Sequence, residues 1–313
     1  MASQSRTKAL TSRIPLLIDT DANNELDDQH ALAYAFFNRD IFDIVGVTVN
    51  NTPLGDGIDG QYSEAQRIMH LCDCLDQIPL ARGVEGNLKE VLPTVGDSEH
   101  DGFAGVDFIV DCARSSREQT LVLVAIGKLT NVALALAKAP DIASRIRLVW
   151  LGSNYPYPGE YNLWSDPDAV SYLLSSTINF EIVTVRYRET TGATAVSVEG
   201  TEIARRMKGA GPKVSAIGGR HGGMFSTFGD YSISLFEHVN LSRRPLFDVV
   251  AVAVVKEPTW GRYSTIRAPE LDNLEWVENR SASRHIGIWE NFERDAILED
   301  FFSSCRSPRL GSM

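Results

Sequence analysis

Positive charge is in short supply in this sequence. Its 313 residues include 30 lysines and arginines but 41 aspartates and glutamates, which gives a formal net charge of −11 at pH 7. A nucleic-acid backbone or an anionic membrane surface requires a basic face on its protein partner, and this charge balance argues against both. We therefore expect a partner that is a small molecule, either neutral or bound with the help of a cation.

Long apolar runs and clustered cysteines are also missing. No stretch of about 18 apolar residues is present, and the N-terminal segment has no apolar core region, so we expect neither a membrane span nor a secretory signal. A cytoplasmic location is the resulting expectation. The cysteines lack the second pair that a zinc site needs, so we expect reduced, mostly buried thiols. They are Cys72, Cys74, Cys112 and Cys305.

The sequence does contain an alternation of two hydrophobic patterns. Continuous apolar runs, typical of strands buried on both faces, alternate with segments whose apolar residues recur about every 3.6 positions, typical of helices. The strand candidates are PLLI, FDIVGVTV, LVLVAI, IRLVWL and FEIVTV. This order predicts an α/β fold with an open, mostly parallel, Rossmann-like sheet flanked by helices. In such a fold a functional site lies at the carboxyl ends of the strands.

The expected domain organisation is one domain over residues 14–303, between a flexible N-terminal tail of residues 1–13 and a C-terminal tail of residues 304–313. The glycine-rich segment 208–230 is either a boundary or a flap over a site. The flap is favoured, because the residues that follow return to a helical pattern without a change in composition.

Five carboxylates follow the first apolar run, in the stretch LLIDTDANNELDD. They belong to Asp19, Asp21, Glu25, Asp27 and Asp28. Charges this close repel one another unless a cation, shared protons or wide solvation intervenes. A helix cap accounts for one carboxylate but not for five. Oxygen ligands that converge from a strand end and a helix start suit Ca²⁺ or Mg²⁺, and Ca²⁺ is favoured where carboxylates bind through both oxygens.

This stretch resembles the N-terminal signature of the calcium-dependent nucleoside hydrolases, the inosine-uridine preferring family, in which D-x-D is followed by a D-D pair. The resemblance continues in order along nearly the whole chain. The similar segments are VTVNNT at 47–52, EHDGFAG at 99–105, AIGKLTN at 125–131, NYPYPGEYNLWSDPDA at 154–169 and RRPLFDVVAVA at 243–253. It implies the nucleoside hydrolase type of α/β fold and a catalytic domain over residues 14–303.

The resemblance also implies site residues. The implied Ca²⁺ ligands are Asp21, Asp28, the backbone carbonyl of Ile126, and Asp248. Asp21 would in addition deprotonate a Ca²⁺-bound water. The implied sugar-binding residues are Asp27, Asn154, Glu160 and Asn162, with Asn50 or Asn51 facing the site.

The activity implied by the resemblance is hydrolysis of the N-glycosidic bond of ribonucleosides, which yields ribose and a free base in purine or pyrimidine salvage. The family often forms dimers or tetramers, so a homodimer or homotetramer is expected. Recognition of the base would come from the variable region 220–265, which leaves the preferred nucleobase open.

Two departures from the family pattern concern the metal site. The loop between Asp21 and Asp27 is two residues longer than usual, so Glu25 competes with Asp27 for contact with the sugar. Lys128 stands where proline is usual, and we expect its side chain to face solvent.

A third departure concerns the leaving group. Phe247, a substrate-site residue by position, stands where many members have a histidine that is thought to protonate the departing base. Either His221, Tyr231 or His238 supplies that proton, with His221 favoured because its glycine-rich loop can close over a base, or the leaving group departs unaided.

Two other functions remain open. The opening LLIDTD also fits the haloacid dehalogenase-type phosphatases, in which Asp19 would be the nucleophile, Asp21 the acid and Mg²⁺ the cofactor. Phe247 also fits a nucleoside- or ribose-binding protein that has kept the metal cage but has little or no turnover.

Overall fold

The apolar runs of the sequence form the middle of an eight-stranded sheet in the computed structural model, which describes residues 13–116, 119–239 and 241–311. The strands are β1 (Ile14–Thr20), β2 (Phe42–Val49), β3 (Leu80–Arg82), β4 (Leu121–Ala125), β5 (Ile146–Leu151), β6 (Asn179–Val183), β7 (Ser197–Glu199), β8 (Ile217–Gly218), β9 (Met224–Phe225), β10 (Arg243–Pro245), β11 (Arg262–Arg267), β12 (Glu270–Asp272), β13 (Glu275–Val277) and β14 (His285–Glu290).

The main sheet has the strand order β11-β14-β6-β5-β4-β1-β2-β3. Every neighbouring pair in it is parallel except β11 with β14. The chain builds outward from β1 in one direction through β2 and β3, and from β4 in the other direction through β5 and β6. The two halves therefore diverge between β1 and β4, which creates a crevice at the carboxyl ends of these strands. The open, mostly parallel sheet predicted from the sequence is confirmed.

Helices cover both faces of the sheet. They are α1 (Asp27–Phe36), α2 (Gly57–Leu71), α3 (Leu88–Val91), α4 (Phe103–Ser115), α5 (Thr130–Lys138), α6 (Tyr161–Ser165), α7 (Pro167–Ser175), α8 (Gly200–Arg206), α9 (Phe228–Val239), α10 (Phe247–Lys256) and α11 (Arg294–Arg306). The four helical patterns of the sequence lie in α1, α2, α5 and α7. No helix in the described ranges combines the length and the apolar character that crossing a membrane requires.

The hydrophobic core lies in two layers, one on each face of the sheet. Successive residues of β4 show why the strand is apolar throughout: Val122 and Val124 pack into one layer, while Leu121 and Leu123 pack into the other. Since side chains alternate between the faces of a strand, a strand covered on both sides requires an apolar residue at every position.

The end of the domain lies beyond the position expected from the sequence. Helix α11 runs past residue 303 to Arg306, because Cys305 is fully buried together with Phe301 and Phe302 on the inner face of the helix. The backbone N–H of Arg309 then bonds to Phe37 O at 2.9 Å. Residues 1–12 of the expected N-terminal tail lie outside the described residues. All four cysteines are free thiols, and Cys112 is the one that is not fully buried.

The glycine-rich segment contains a short hairpin of β8 and β9. Arg67 Nε donates a hydrogen bond to Gly218 O at 2.6 Å, which fixes one strand of this hairpin to α2. At its tip, Arg220 Nη2 lies 3.4 Å from Asn24 O, in the long loop that follows β1. The hairpin therefore lies beside the acidic loop.

Candidate active site

A cavity of about 280 Å³ opens at the carboxyl ends of β1 and β4, where the two halves of the sheet diverge. Most of the residues singled out in the sequence line it. They are Asp21, Glu25, Asp27, Asp28, Ile126, Glu160, Asn162, Phe247 and Asp248.

Asp21 follows directly after β1 and is almost fully buried. Its Oδ2 accepts hydrogen bonds from Thr52 Oγ1 at 2.5 Å and from Asn24 Nδ2 at 3.1 Å, whereas its Oδ1 has no hydrogen-bond partner. Burial raises the pKa of Asp21 to about 6, against the opposing effect of these hydrogen bonds. The carboxylate is thus fixed through one oxygen and open at the other.

Three further carboxylates meet where helices α1 and α10 begin. Asp27, Asp28 and Asp248 each place an oxygen within 4.8 Å of the others. Thr20 Oγ1 donates to Asp28 at 2.6 Å. Burial, and then repulsion between these carboxylates, raises the pKa of Asp28 and Asp248 well above the usual range. Burial likewise raises the pKa of Asp27 to about 7. A positive charge at this point would relieve the repulsion.

The donor atoms fit a hard divalent cation. Asp21 Oδ1, Asp248 Oδ1 and Asn50 Oδ1 are buried oxygens without a hydrogen-bond partner. A Cβ on Gly127 would lie 2.9 Å from both Asp21 Oδ1 and Asn50 Oδ1, so only glycine lets the turn after Ile126 approach them this closely. Carboxylate, amide and carbonyl oxygens are the ligands that Ca²⁺ and Mg²⁺ bind.

Glu160 and Asn162 line the cavity at the start of helix α6. The Glu160 carboxylate accepts the backbone N–H groups of Asn162 at 3.0 Å and Leu163 at 2.8 Å, so it caps this helix as well as lining the cavity. Burial raises the pKa of Glu160 to about 7. Asn162 Nδ2 donates to Leu151 O at 3.0 Å.

Asp19 does not line the cavity, but its hydrogen bonds hold neighbouring side chains in place. It is fully buried, and its carboxylate accepts hydrogen bonds from Thr48 at 2.6 Å, Asn131 at 2.7 Å and Asn50 at 2.9 Å. A nucleophile must be reachable by substrate, and Asp19 neither lines the cavity nor has a free carboxylate oxygen, which contradicts the phosphatase interpretation. Asn50 is thereby placed beside Asp21, whereas Asn51 turns away to Glu85 at 3.0 Å.

Asn154 is not among the residues that line the cavity. Its Oδ1 accepts the backbone N–H of Tyr187 at 2.8 Å, and its Nδ2 donates to Pro158 O at 3.1 Å. These bonds hold two loops together, and the sugar contact expected of Asn154 stays a prediction.

His221 also lies outside the cavity lining, and its expected role as proton donor stays a prediction. Its exposed ring stacks on that of His238, with the ring centroids 3.4 Å apart. Partial burial, followed by neighbouring cationic groups such as Arg220, lowers the pKa of His221 to about 4. Tyr231, another of the three candidates, donates a hydrogen bond to the buried Glu64 at 2.6 Å.

Lys128 is buried, although we expected it to face solvent. Only 2% of the residue is exposed. Its ammonium donates to Gly86 O at 2.6 Å, to Asn87 Oδ1 at 3.0 Å and to Glu85 O at 3.3 Å. The loop after β3 thus supplies acceptors that satisfy the buried charge.

Glu25 lies at the mouth of the cavity and is not part of the cluster of Asp27, Asp28 and Asp248. Its carboxylate forms an ion pair with Arg244, which lies on β10. Of the two carboxylates that competed for the sugar, Asp27 is therefore the one beside Asp28 and Asp248.

Other lining residues were missed by the sequence analysis. They are Asn24, Leu54, Leu151, Tyr161, Val185 and Tyr187. Tyr187 follows β6 and Leu54 follows β2, so the rule that sites lie at the carboxyl ends of parallel strands could have identified both.

Comparison with known proteins identifies the relatives of this chain. Residues 16–286 match the family model described as inosine-uridine preferring nucleoside hydrolase. The chain is 30% identical over 189 residues to the non-specific ribonucleoside hydrolase RihC of Escherichia coli O127:H6, covering 53% of this chain and 59% of that protein. It is 39% identical over 105 residues to an uncharacterized protein of Schizosaccharomyces pombe, covering 31% of this chain and 33% of that protein. These matches span between a third and three fifths of the relatives.

Solved structures share the whole fold. The plant nucleoside hydrolase PpNRh1 superposes with a TM-score of 0.72 at 15% identity, over 94% of this chain and 99% of that one. The inosine-uridine preferring nucleoside hydrolase from Bacillus anthracis superposes with a TM-score of 0.68 at 18% identity, over 93% and 99%.

Proposed function

Because the chain belongs to the inosine-uridine preferring nucleoside hydrolase family, we propose that it hydrolyses the N-glycosidic bond of ribonucleosides to ribose and free base. The observation that carries this proposal is the convergence of four buried carboxylates on one cavity. They belong to Asp21, Asp27, Asp28 and Asp248. A binding protein for neutral nucleosides has no evident need for so much buried negative charge, whereas a reaction that develops positive charge on a sugar does.

Ca²⁺ is the cation that we propose for the unpaired oxygens. Asp21, Asp28, Asp248 and the Ile126 carbonyl would hold it, since all four line the cavity and offer oxygen donors. When bound, the ion would polarise a water molecule and the ribose hydroxyls.

The attack on the sugar is assigned to water activated by Asp21. With Thr52 fixing Oδ2, the open Oδ1 is available to accept the proton of a water that attacks C1′. The bond from C1′ to the base then breaks, and the sugar gains oxocarbenium character. Asp27 and Glu160 lie close enough, as residues of the same cavity, to stabilise that positive charge.

The sugar is assigned to the inner end of the cavity. Asp27, Glu160 and Asn162 offer the polar groups there, and each is buried. A sugar without the matching hydroxyl would leave such groups unpaired, which disfavours its binding.

We also propose a cytoplasmic role in nucleoside salvage and a homodimer or homotetramer in solution. Sedimentation of the purified protein would measure its oligomeric state.

Base release from a panel of nucleosides tests the proposed function. We expect ribose and free base from at least one ribonucleoside in Ca²⁺, and loss of activity after thorough chelation that is reversed by adding Ca²⁺. Full turnover in a sample confirmed to be free of metal would contradict the cation assignment. Tight nucleoside binding by calorimetry without any base release would instead indicate the binding protein.

A further inference from the structure

The long loop that follows β1 is held in place on two sides. On one side, Asn23 Nδ2 donates to Gly55 O at 2.8 Å, and the backbone N–H of Asn23 donates to Gln61 Oε1 at 2.6 Å. On the other side, Arg244 on β10 forms the ion pair with Glu25. The side chains that this loop contributes to the cavity therefore have defined positions.

The Glu25 carboxylate lies at the outer end of the cavity. Among the described residues that line the cavity, the other carboxylates are buried, whereas Glu25 is exposed. Leu54, 57% exposed, and Tyr187, 43% exposed, also mark this end. With ribose at the buried carboxylates, the base extends toward these exposed residues. Glu25 therefore lies beside the part of the base that is farthest from the sugar.

An aromatic wall lies close to Glu25. Phe247 begins helix α10 shortly after β10, the strand that carries Arg244. The rings of Phe247 and Tyr187 pack edge to face with their centroids 6.1 Å apart, and both residues line the cavity. Because every base has a π-face, contact with an aromatic ring holds a base without identifying it. Discrimination between bases requires hydrogen bonds to the base edge.

The two polar side chains of the loop both offer hydrogen-bond acceptors to the cavity. Arg244 contacts Oε2 of Glu25, and a carboxylate has two oxygens with about four lone-pair sites, so acceptor positions remain. Asn24 donates through Nδ2 to Asp21 Oδ2 at 3.1 Å, so its Oδ1 points away from that carboxylate, and this oxygen has no hydrogen-bond partner. A base edge with N–H donors is therefore favoured here over an edge with lone pairs.

We propose that Glu25 selects a nucleobase with two adjacent N–H donors, which makes guanosine a better substrate than inosine. The inference rests on the proposed hydrolysis. Guanine carries N1–H beside its 2-amino group, on the edge farthest from the sugar, and hypoxanthine has N1–H but no amino group. The contact lies away from the C1′–N bond that breaks, so it contributes to binding the substrate and the transition state alike. Its effect should therefore appear mainly in KM.

The rates on guanosine and inosine test this role, because these nucleosides differ only in the 2-amino group. In Ca²⁺, kcat/KM for guanosine should exceed that for inosine by about 10-fold, the effect of one hydrogen bond to a charged acceptor. Glu25→Gln keeps the side-chain length and one acceptor but replaces the other oxygen by a donor, so the ratio should fall to about 1. Glu237→Gln, at an exposed glutamate outside the cavity lining, should keep the parental ratio.

The ratio of the two kcat/KM values decides the outcome. Equal values for guanosine and inosine in the unaltered protein would overturn the role of Glu25 and leave the hydrolase proposal intact. An unchanged ratio in Glu25→Gln would do the same, and a fall of both rates at that unchanged ratio would indicate that Glu25 only holds the loop.

Calorimetric binding of guanosine and inosine tests the inference independently of turnover. If no ribonucleoside releases its base, the proposed hydrolysis is wrong, and the dissociation constants then decide the role of Glu25. The unaltered protein should bind guanosine about 10-fold more tightly than inosine, and Glu25→Gln should lose this preference. Equal affinities in the unaltered protein would overturn the inference.

Discussion

Thr52 donates a hydrogen bond of 2.5 Å to Oδ2 of Asp21, so one oxygen of this buried carboxylate is fixed and the other is left open. The two residues come from the ends of neighbouring strands, β1 and β2, and the parallel register of those strands brings them together. The hydrogen bond therefore orients the Asp21 carboxylate and leaves Oδ1 available to accept a proton.

Asp21→Asn should lower the hydrolysis rate by at least about 10²-fold, because the amide keeps an oxygen near the cation site but cannot accept a proton. Asp76→Asn, an exposed aspartate outside the cavity lining, is the control and should behave like the parent. Steady-state kinetics and a thermal unfolding curve would separate lost chemistry from lost folding. Parental turnover in Asp21→Asn would show that Asp21 is only a ligand.

Ribonucleosides should be cleaved far faster than 2′-deoxyribonucleosides, by up to about 10⁴-fold, because a site built for a hydroxyl leaves its own groups unpaired when that hydroxyl is missing. The comparison of kcat/KM for uridine and 2′-deoxyuridine measures this preference. Asp27→Asn should reduce the ratio of kcat/KM for uridine to kcat/KM for 2′-deoxyuridine. Equal rates on the two substrates would refute the assignment of Asp27, Glu160 and Asn162 to the sugar.

The metal-free protein should lose stability as the pH rises from about 4 to about 7. The folded-state pKa is raised to about 6 for Asp21 and to about 7 for Asp27 and Glu160, so the folded state holds more protons than the unfolded state in this range. The unfolding free energy therefore falls until these groups are ionised. Ca²⁺, the cation that we propose for the ionised carboxylates, should restore stability most at the upper end of the range.

Thermal unfolding with and without a chelator, at about pH 5 and about pH 7.5, checks this linkage. A higher unfolding midpoint of the chelated protein at the higher pH would contradict the linkage. An equal rise of the midpoint on adding Ca²⁺ at both pH values would also contradict it.

Lys128→Met should destabilise the fold by about 1–3 kcal/mol, because it removes the charged donor of the hydrogen bonds that tie the loop of residues 85–87 to the turn after β4. Lys89→Met is the control, since the Lys89 side chain is 77% exposed and forms a surface pair with Asp168. Denaturant unfolding of the two variants compares them directly. A similar, small effect in both would show that the bonds of Lys128 contribute little.

The sequence predicts the central strands and the acidic half of the site because both depend on local pattern. A strand that is apolar at every position, such as β4, must be covered on both faces, and this requirement leads to a parallel sheet with helices on each side. The carboxyl ends of adjacent parallel strands meet, so Asp21 after β1 lies near Ile126 after β4 once these two strands are neighbours. Local pattern does not give that strand order, and the pairing of Asp21 with Ile126 is implied only by the resemblance to the family.

Side-chain direction in loops could not be predicted in the same way. The acceptors of Lys128 lie more than forty residues earlier in the sequence, in the loop after β3. The side-chain oxygen of Asn154 accepts the backbone N–H of Tyr187, and the ring of His221 stacks on that of His238. Each of these outcomes depends on which distant segment packs alongside, and single-sequence patterns do not encode that.

Glu160 has two structural roles, and these limit which substitutions the protein can accept during evolution. Its carboxylate both begins helix α6 and faces the cavity, so a lineage that replaces Glu160 to accept another sugar also removes a helix cap. Such a change requires a compensating substitution nearby. Leu54, at the cavity mouth, caps no helix and its side chain is largely exposed, so a substitution there does not carry this structural cost.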